Sequence, residues 1–218
     1  MIYEFPDSRD PIRQGDIFLG LPRVEIPFNN LSVVGDGNFP ELVDWSTVAR
    51  EGKSITAILG VRPVAAIVAS QDCDALRSPD ITLCEIRDFQ DVEKSSKDCK
   101  NPKQWMKMIT QQSRKNLKWF YLPPDAQVGF SRKMAVDFQV TLRVGREDLL
   151  GHRNLRRGRL IHEADEHFRE RLSEFFRRYP YDEWYPLDQK EFAEYADGST
   201  DIEPRGWQTE NQSPSKPS

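Results

Sequence analysis

Short stretches in which apolar and polar residues alternate dominate the first 90 positions of the chain. They predict strands over Asp16–Gly20, Arg23–Phe28, Ser54–Val61, Val64–Ser70 and Ile81–Ile86. Glycine and asparagine at 29–30 and 35–38 provide turns between the strands, because both residues tolerate positive φ. Five or six short strands in so few residues favour a small antiparallel barrel or sandwich over βαβ units.

The pattern changes after Ile86. A polar, lysine-rich segment at 88–117 is predicted to be an insertion that contains a helix at 102–113, with a proline in its first turn. Alternation returns at Lys118–Leu122 and Ala135–Val144, and apolar residues then recur at helical spacing over 161–179. The pattern therefore predicts an α+β, mainly β fold with an inserted helical segment and a long, amphipathic C-terminal helix.

The net charge of −4 is unevenly distributed along the 218 residues. Positions 181–218 carry nine acidic and three basic residues, a net of −6, so positions 1–180 carry +2. This asymmetry divides the chain into a single domain over 1–180 and an acidic, aromatic tail over 181–218, whose final residues have the composition of a disordered end. A basic body with an acidic tail indicates an anionic partner, a tail that folds back, or both.

Two segments are candidate binding sites. The tail contains aromatic residues that either extend the core of the domain or bind a protein partner: Tyr181, Trp184, Tyr185 and Phe192. The string HRNLRRGR contains four arginines that are suited to gripping the phosphates of a nucleic acid: Arg153, Arg156, Arg157 and Arg159. The alternative for this string is an exposed loop whose arginines pair with the tail or with Glu163 and Asp165.

The string SQDCD places Cys73 between Asp72 and Asp74. Cys73 is a candidate nucleophile or, with the two aspartates, a metal ligand; however, neighbouring carboxylates disfavour the reactive thiolate. The structural alternative is a strand end where the aspartates cap turn amides and Cys73 packs inside. His162 and His167 are five residues apart and lie on different sides of a helix, so no metal site and no cofactor are predicted.

Three segments resemble the small barrels of the PemK/MazF-like family of bacterial toxin–antitoxin systems. They are RQGDIFLGLP (Arg13–Pro22), RPVAAIVAS (Arg62–Ser70) and ITLCEI (Ile81–Ile86). The resemblance covers residues 13–90 and, loosely, Val136–Arg178, and it implies an SH3-like antiparallel barrel. SQDCD, WFYLPPD and ERLSEFFRRY resemble uncharacterised bacterial proteins built on the same barrel, from which no activity follows.

In the toxin family, an arginine at the Arg-Pro step and a threonine or serine after the next strand support RNA cleavage. Arg62 matches the first position, whereas the second falls near Arg87, where no hydroxyl residue stands. The leading hypothesis is therefore a non-catalytic interaction protein of a bacterial defence or stress-response system. It would bind a protein partner, encoded nearby, and in addition nucleic acid.

The alternative is an endoribonuclease toxin that uses Arg62 with the assistance of Arg87 or Asp72, and a third hypothesis is a thiol-dependent enzyme centred on Cys73. No apolar run approaches the roughly 20 residues of a membrane helix, and the first residues lack the basic and apolar regions of a secretory signal. Three cysteines, an odd number, favour reduced thiols. The chain is thus expected to be cytoplasmic without membrane contact, and a homodimer is left open.

Overall fold

The computed structural model describes residues 2–34, 39–90 and 118–177. The chain divides into two compact units, Met1–Phe176 and Arg177–Ser218, and every described residue except Arg177 belongs to the first. The predicted helix at 102–113 and the acidic tail over 181–218 lie outside the described residues.

Strands and four helices make up the described structure, together with a 3₁₀ turn at Arg153–Leu155. The strands are β1 (Tyr3–Glu4), β2 (Asp16–Val24), β3 (Leu31–Val34), β4 (Pro40–Val43), β5 (Ala57–Ile58), β6 (Val61–Val68), β7 (Asp80–Asp88), β8 (Trp119–Leu122), β9 (Met134–Gly145) and β10 (Arg156–Leu160). The helices are α1 (Trp45–Glu51), α2 (Asp72–Arg77), α3 (Arg146–Gly151) and α4 (His162–Arg177). None of these helices is both long and apolar enough to span a membrane.

The strands form two antiparallel sheets, which confirms the α+β, mainly β class. Seven strands form the main sheet in the order β1-β10-β2-β6-β7-β9-β8, and β4-β3-β5 form a small second sheet. The main sheet is not a closed barrel, because in the described residues β1 and β8 are its edges. A side chain bridges these edges: the hydroxyl of Tyr3 on β1 donates a hydrogen bond to the carbonyl of Pro123, 2.8 Å away and just after β8.

The predicted break between two strands at Pro22 is wrong, because β2 continues through it to Val24. Pro22 lies opposite Pro63 on β6. Two prolines can face each other only at a non-hydrogen-bonded pair of an antiparallel ladder, because proline has no backbone N–H group to donate. On their other sides, β10 does not pair with β2 at Pro22 and β7 does not pair with β6 at Pro63. The missing N–H group of each proline therefore costs no ladder hydrogen bond to these strands.

Alternate side chains of the main sheet build two cores on its opposite faces. On the first face, α4 places Phe168 at 5.3 Å from Phe120 and 5.7 Å from Phe138, measured between ring centroids. On the second face, Ala75 of α2 and Leu149 of α3 pack in the other core. The predicted C-terminal helix is therefore confirmed over His162–Arg177, and Phe168 and Phe175 on its apolar stripe are buried against the sheet, whereas Phe176 is exposed.

A buried carboxylate joins β10 to β2. Asp16 is 0% exposed; its Oδ1 accepts a hydrogen bond of 2.6 Å from Nε of Arg159, and its Oδ2 accepts one of 3.2 Å from Arg156. Both guanidiniums also donate to the carbonyl of Pro11, and the backbone N–H of Arg13 donates to Asp16. The ion pairs thus hold the segment before β2 against β10.

We expect Asp16→Asn to lower the free energy of unfolding by about 3 kcal/mol, because removing one partner leaves buried guanidinium charge uncompensated. Urea denaturation followed by circular dichroism measures the change. The matched control is Asp74→Asn, which neutralises an exposed aspartate and should change stability by less than about 0.5 kcal/mol. Equal losses in the two variants would contradict the structural role of Asp16.

Candidate functional site

The second face of the main sheet changes from apolar to charged along its length. On β7, Leu83 belongs to the core of this face, and the next two side chains on the same face are Glu85 and Arg87. Arg62 of β6 and Arg23 of β2 are cross-strand partners at the same end. Strand alternation and register therefore bring four charged side chains together beyond the edge of this core.

These side chains, which we call the arginine cluster, surround one buried carboxylate. The side chain of Glu85 is 4% exposed, and its Oε1 lies 3.1 Å from Nη2 of Arg62 and 3.5 Å from Nε of Arg87. Its Oε2 forms an ion pair with Arg23. Asp137, which pairs with Glu85 across β7 and β9, lies 3.7 Å from Nη1 of Arg87. Arg87 thus separates two carboxylates that would otherwise repel each other.

The cluster is chemically suited to binding an anion. The side chains of Arg62 and Arg87 are 46% and 36% exposed, so each guanidinium reaches solvent while Glu85 fixes it from the protein side. A guanidinium held in this way presents its remaining N–H groups as a planar fork that matches phosphate or carboxylate. Among the described residues, the contacts of the cluster include no hydroxyl, thiol or imidazole group.

The structure brings together two of the three residues proposed for RNA cleavage. Arg62 and Arg87 share Glu85, whereas Asp72 belongs to α2, which follows the opposite end of β6. From Arg62 to Val68, the strand extends by about 20 Å, so the expectation that Asp72 assists Arg62 is wrong. Sequence reasoning missed Arg23, Glu85 and Asp137; the available signal was the alternation that places Glu85 and Arg87 on one face of a strand.

Asp72 instead lies in a network between α2 and α4. Its Oδ1 accepts the backbone N–H of Gln14 at 2.9 Å, and its Oδ2 is 3.5 Å from Arg169, which also contacts Asp165 at 2.7 Å. A pocket of about 620 Å³ lies here, lined by Gln14, Ala69, Gln71, Asp72, Cys73, Arg169, Leu172, Ser173 and Phe176. SQDCD follows the end of β6 at Val68, as expected, but it leads into α2 instead of a turn, and the amide that Asp72 caps belongs to a distant segment.

The two described cysteines differ in their surroundings. Cys73 is exposed, with its Sγ 3.8 Å from Oδ1 of Asp74, so the expectation that it packs inside is wrong. Cys84 is the buried thiol, and burial raises its pKa to about 12. A thiol-dependent enzyme would need a base beside Cys73, and the side-chain hydrogen bond that Cys73 makes in the described structure is to the carboxylate of Asp74, which disfavours the thiolate. No group of three or more potential metal-ligating side chains is found in the described ranges.

The basic string forms β10 and the turn before it, so the expectation of a solvated loop is wrong. The side chain of Arg156 is 2% exposed, and both Arg156 and Arg159 form ion pairs with Asp16. Arg153 is half-buried and Arg157 is exposed. Of the four arginines predicted to contact nucleic acid, Arg157 thus presents its side chain most freely to a ligand.

Comparison with known proteins adds no functional assignment. The chain matches no family model, and none of the curated proteins matches it. The aromatic residues predicted to bind a partner lie outside the described residues: Tyr181, Trp184, Tyr185 and Phe192. The candidate site is therefore defined by the geometry of the arginine cluster.

Asp165, which supports Arg169 in the network between α2 and α4, has an unusual carboxyl group. It packs against Gly15, where a Cβ atom would lie 2.9 Å from Oδ1. Burial raises the pKa of Asp165 from 3.8 to about 6, although Arg169 opposes the shift. A carboxyl group whose pKa is higher in the folded than in the unfolded protein favours the fold while it is protonated. Its contribution to stability is complete at a pH below the pKa in the unfolded chain, and it is lost as the pH rises through the pKa in the folded protein.

We expect Asp165 to contribute progressively less to the free energy of unfolding as pH rises from about 4 to about 7, because its carboxyl must lose its proton inside the fold. Asp165→Asn should remove part of this loss, so the difference in Tm between variant and wild type should grow with pH. Glu163→Gln, an exposed position on the same helix, is the control and should leave the pH profile unchanged. A constant difference in Tm for Asp165→Asn would contradict the raised pKa.

Proposed function

We propose that the protein is a non-catalytic interaction protein of a bacterial defence or stress-response system that binds single-stranded RNA at the arginine cluster and a protein partner elsewhere. The observation that carries the RNA-binding part is the convergence of Arg23, Arg62 and Arg87 on the buried Glu85. The arginines are fixed before a ligand arrives, so binding does not have to order three long side chains.

An exposed aromatic pair supports a single-stranded ligand. Phe28 and Trp45 stack with their ring centroids 6.2 Å apart, and both rings are partly exposed. Phe28 is three residues beyond Glu25, which contacts the cluster, so at most roughly 11 Å of chain separates them. Stacked aromatic rings beside a positively charged surface suit unpaired bases whose phosphates meet the arginines.

The protein-partner part of the proposal is supported by an exposed apolar surface. On the outer face of the small sheet, Leu42 and Ile58 flank Ser32 across the strands, and both are more than half exposed. Apolar side chains exposed together on a sheet are typical of a protein contact. The defence or stress-response setting and the link to PemK/MazF-like, SH3-like barrels rest on the three resembling segments, and the cytoplasmic setting rests on the absence of signal-peptide features in the first residues and on the odd number of cysteines.

An endoribonuclease of PemK/MazF type is the second candidate, favoured by the meeting of Arg62 with Arg87. Cleavage would use these guanidiniums to stabilise the charge of a phosphorane-like transition state. It would also need a group that takes a proton from the attacking hydroxyl. Glu85 is poorly placed for this, because it is buried and both of its oxygens contact arginines. The non-catalytic proposal is therefore preferred.

We expect Arg62→Ala to weaken binding of a short fluorescent oligouridylate because one phosphate contact is lost. The slope of log K against log salt should fall in magnitude by about 0.7. Fluorescence anisotropy measures binding, and gel electrophoresis of the same samples reports cleavage. Arg143→Ala is the matched control, since Arg143 is an exposed arginine on β9 that pairs with Asp80 at the other end of β7.

The outcomes separate the two candidates. Binding without cleavage that weakens in Arg62→Ala supports the interaction protein. Cleavage that disappears in Arg62→Ala would replace it with the ribonuclease. If wild type and Arg62→Ala bind equally, or Arg143→Ala weakens binding as much, the arginine cluster is not the RNA site.

A further inference from the structure

Besides Glu85 and Asp137, a third carboxylate, that of Glu25, contacts the arginine cluster on its solvent side. Oε1 of Glu25 lies 3.1 Å from Nη2 of Arg23 and 3.3 Å from Nη2 of Arg62. These two arginines also contact Glu85. Each guanidinium therefore lies between a carboxylate that is almost completely buried and one whose side chain is 63% exposed.

The two carboxylates differ in how firmly the fold holds them. Glu85 lies within β7, which is paired on both sides at this residue. Glu25 follows Val24, the last residue of β2, and belongs to no strand. The side chain of Glu25 is also 63% exposed, so it can turn away from the arginines into solvent, whereas the side chain of Glu85 is 4% exposed and is enclosed by the fold.

Charge counting gives Glu25 a further role. Arg23, Arg62 and Arg87 contribute +3, and Glu85 and Asp137 contribute −2, so these five groups have a net charge of +1. Glu25 brings this to zero. An anion that enters the cluster with Glu25 in place would meet no net positive charge, and its oxygens would compete for the same Nη2 atoms.

We propose that Glu25 is an intramolecular competitor of the anionic ligand: its carboxylate occupies the position of an RNA phosphate between Arg23 and Arg62 and must leave for the ligand to bind. This inference rests on the proposed function of the cluster and specifies how the site is regulated. The affinity for RNA is reduced by the fraction of molecules in which Glu25 covers the arginines.

The test compares the affinity of wild type and Glu25→Gln for the short oligouridylate. Glu25→Gln keeps the size of the side chain and removes its charge, and we expect it to bind about threefold to fivefold more tightly, in line with the strength of an exposed ion pair. Glu51→Gln is the matched control, because it also removes one negative charge from an exposed side chain. Glu51 forms an ion pair with Lys53, which does not belong to the arginine cluster. The control should change affinity by less than about twofold.

A second comparison separates competition from a general change in charge. In the Arg62→Ala background, Glu25→Gln should give a smaller gain than in wild type, since one of the two guanidiniums that it uncovers is absent. An equal gain in both backgrounds, or the same gain for Glu51→Gln, would overturn the role of Glu25.

The same affinities also show whether only the role of Glu25 is wrong or whether the proposed RNA binding is wrong as well. If Arg62→Ala weakens binding but Glu25→Gln does not strengthen it, the cluster binds RNA and the competition inference is wrong. If Arg62→Ala leaves binding unchanged, the RNA-binding proposal fails as well. Thermal unfolding of each variant checks that altered binding does not come from loss of the fold.

Discussion

The side chain of Asp16 holds the first and last parts of the described structure together. It binds two arginines that follow it by more than 130 positions, and these arginines lie on β10, which pairs with both β1 and β2. This tie fixes the position of β10, which is the neighbour of β1 in the sheet and ends two residues before α4 begins. Desolvating three charged groups is costly, so the arrangement depends on the complete set of hydrogen bonds that surrounds them.

The protein uses a buried carboxylate with several arginines twice, and the exposure of the arginines distinguishes the two uses. At Asp16, Arg156 is almost completely buried and also donates to backbone carbonyls, so its binding capacity is used within the fold. At Glu85, the carboxylate is equally inaccessible, but Arg62 and Arg87 remain open to solvent. The arginines at Asp16 are used within the fold, whereas those at Glu85 leave oriented donors open to solvent, which is the basis of the proposed binding site.

In the proposed function, the net charge of zero that Glu25 gives the arginine cluster limits which anionic ligands the cluster can bind. Unbalanced guanidiniums at the end of a sheet attract any polyanion, and binding of this kind depends strongly on salt. In the proposed function, the exposed carboxylate of Glu25 sets a threshold, because a ligand must provide better geometry or more contacts than Glu25 does. The stacked rings of Phe28 and Trp45 would provide such contacts to a ligand with bases but none to a simple anion, which is why the proposal names single-stranded nucleic acid.

The sequence by itself determined the elements whose apolar period is long and regular. The sequence predicts the helix α4 and the strands β6, β7 and β9 because each of them buries one or both faces. Burial of a face makes apolar residues recur about every 3.6 positions in a helix and every 2 positions in a strand. Tertiary structure decided the rest. The basic string around Arg156 has the composition of an exposed loop and becomes a strand because a distant aspartate neutralises it. The site likewise depends on cross-strand register: Arg23, Arg62 and Glu85 are far apart along the chain, and pairing between strands, which no local pattern records, brings them into contact.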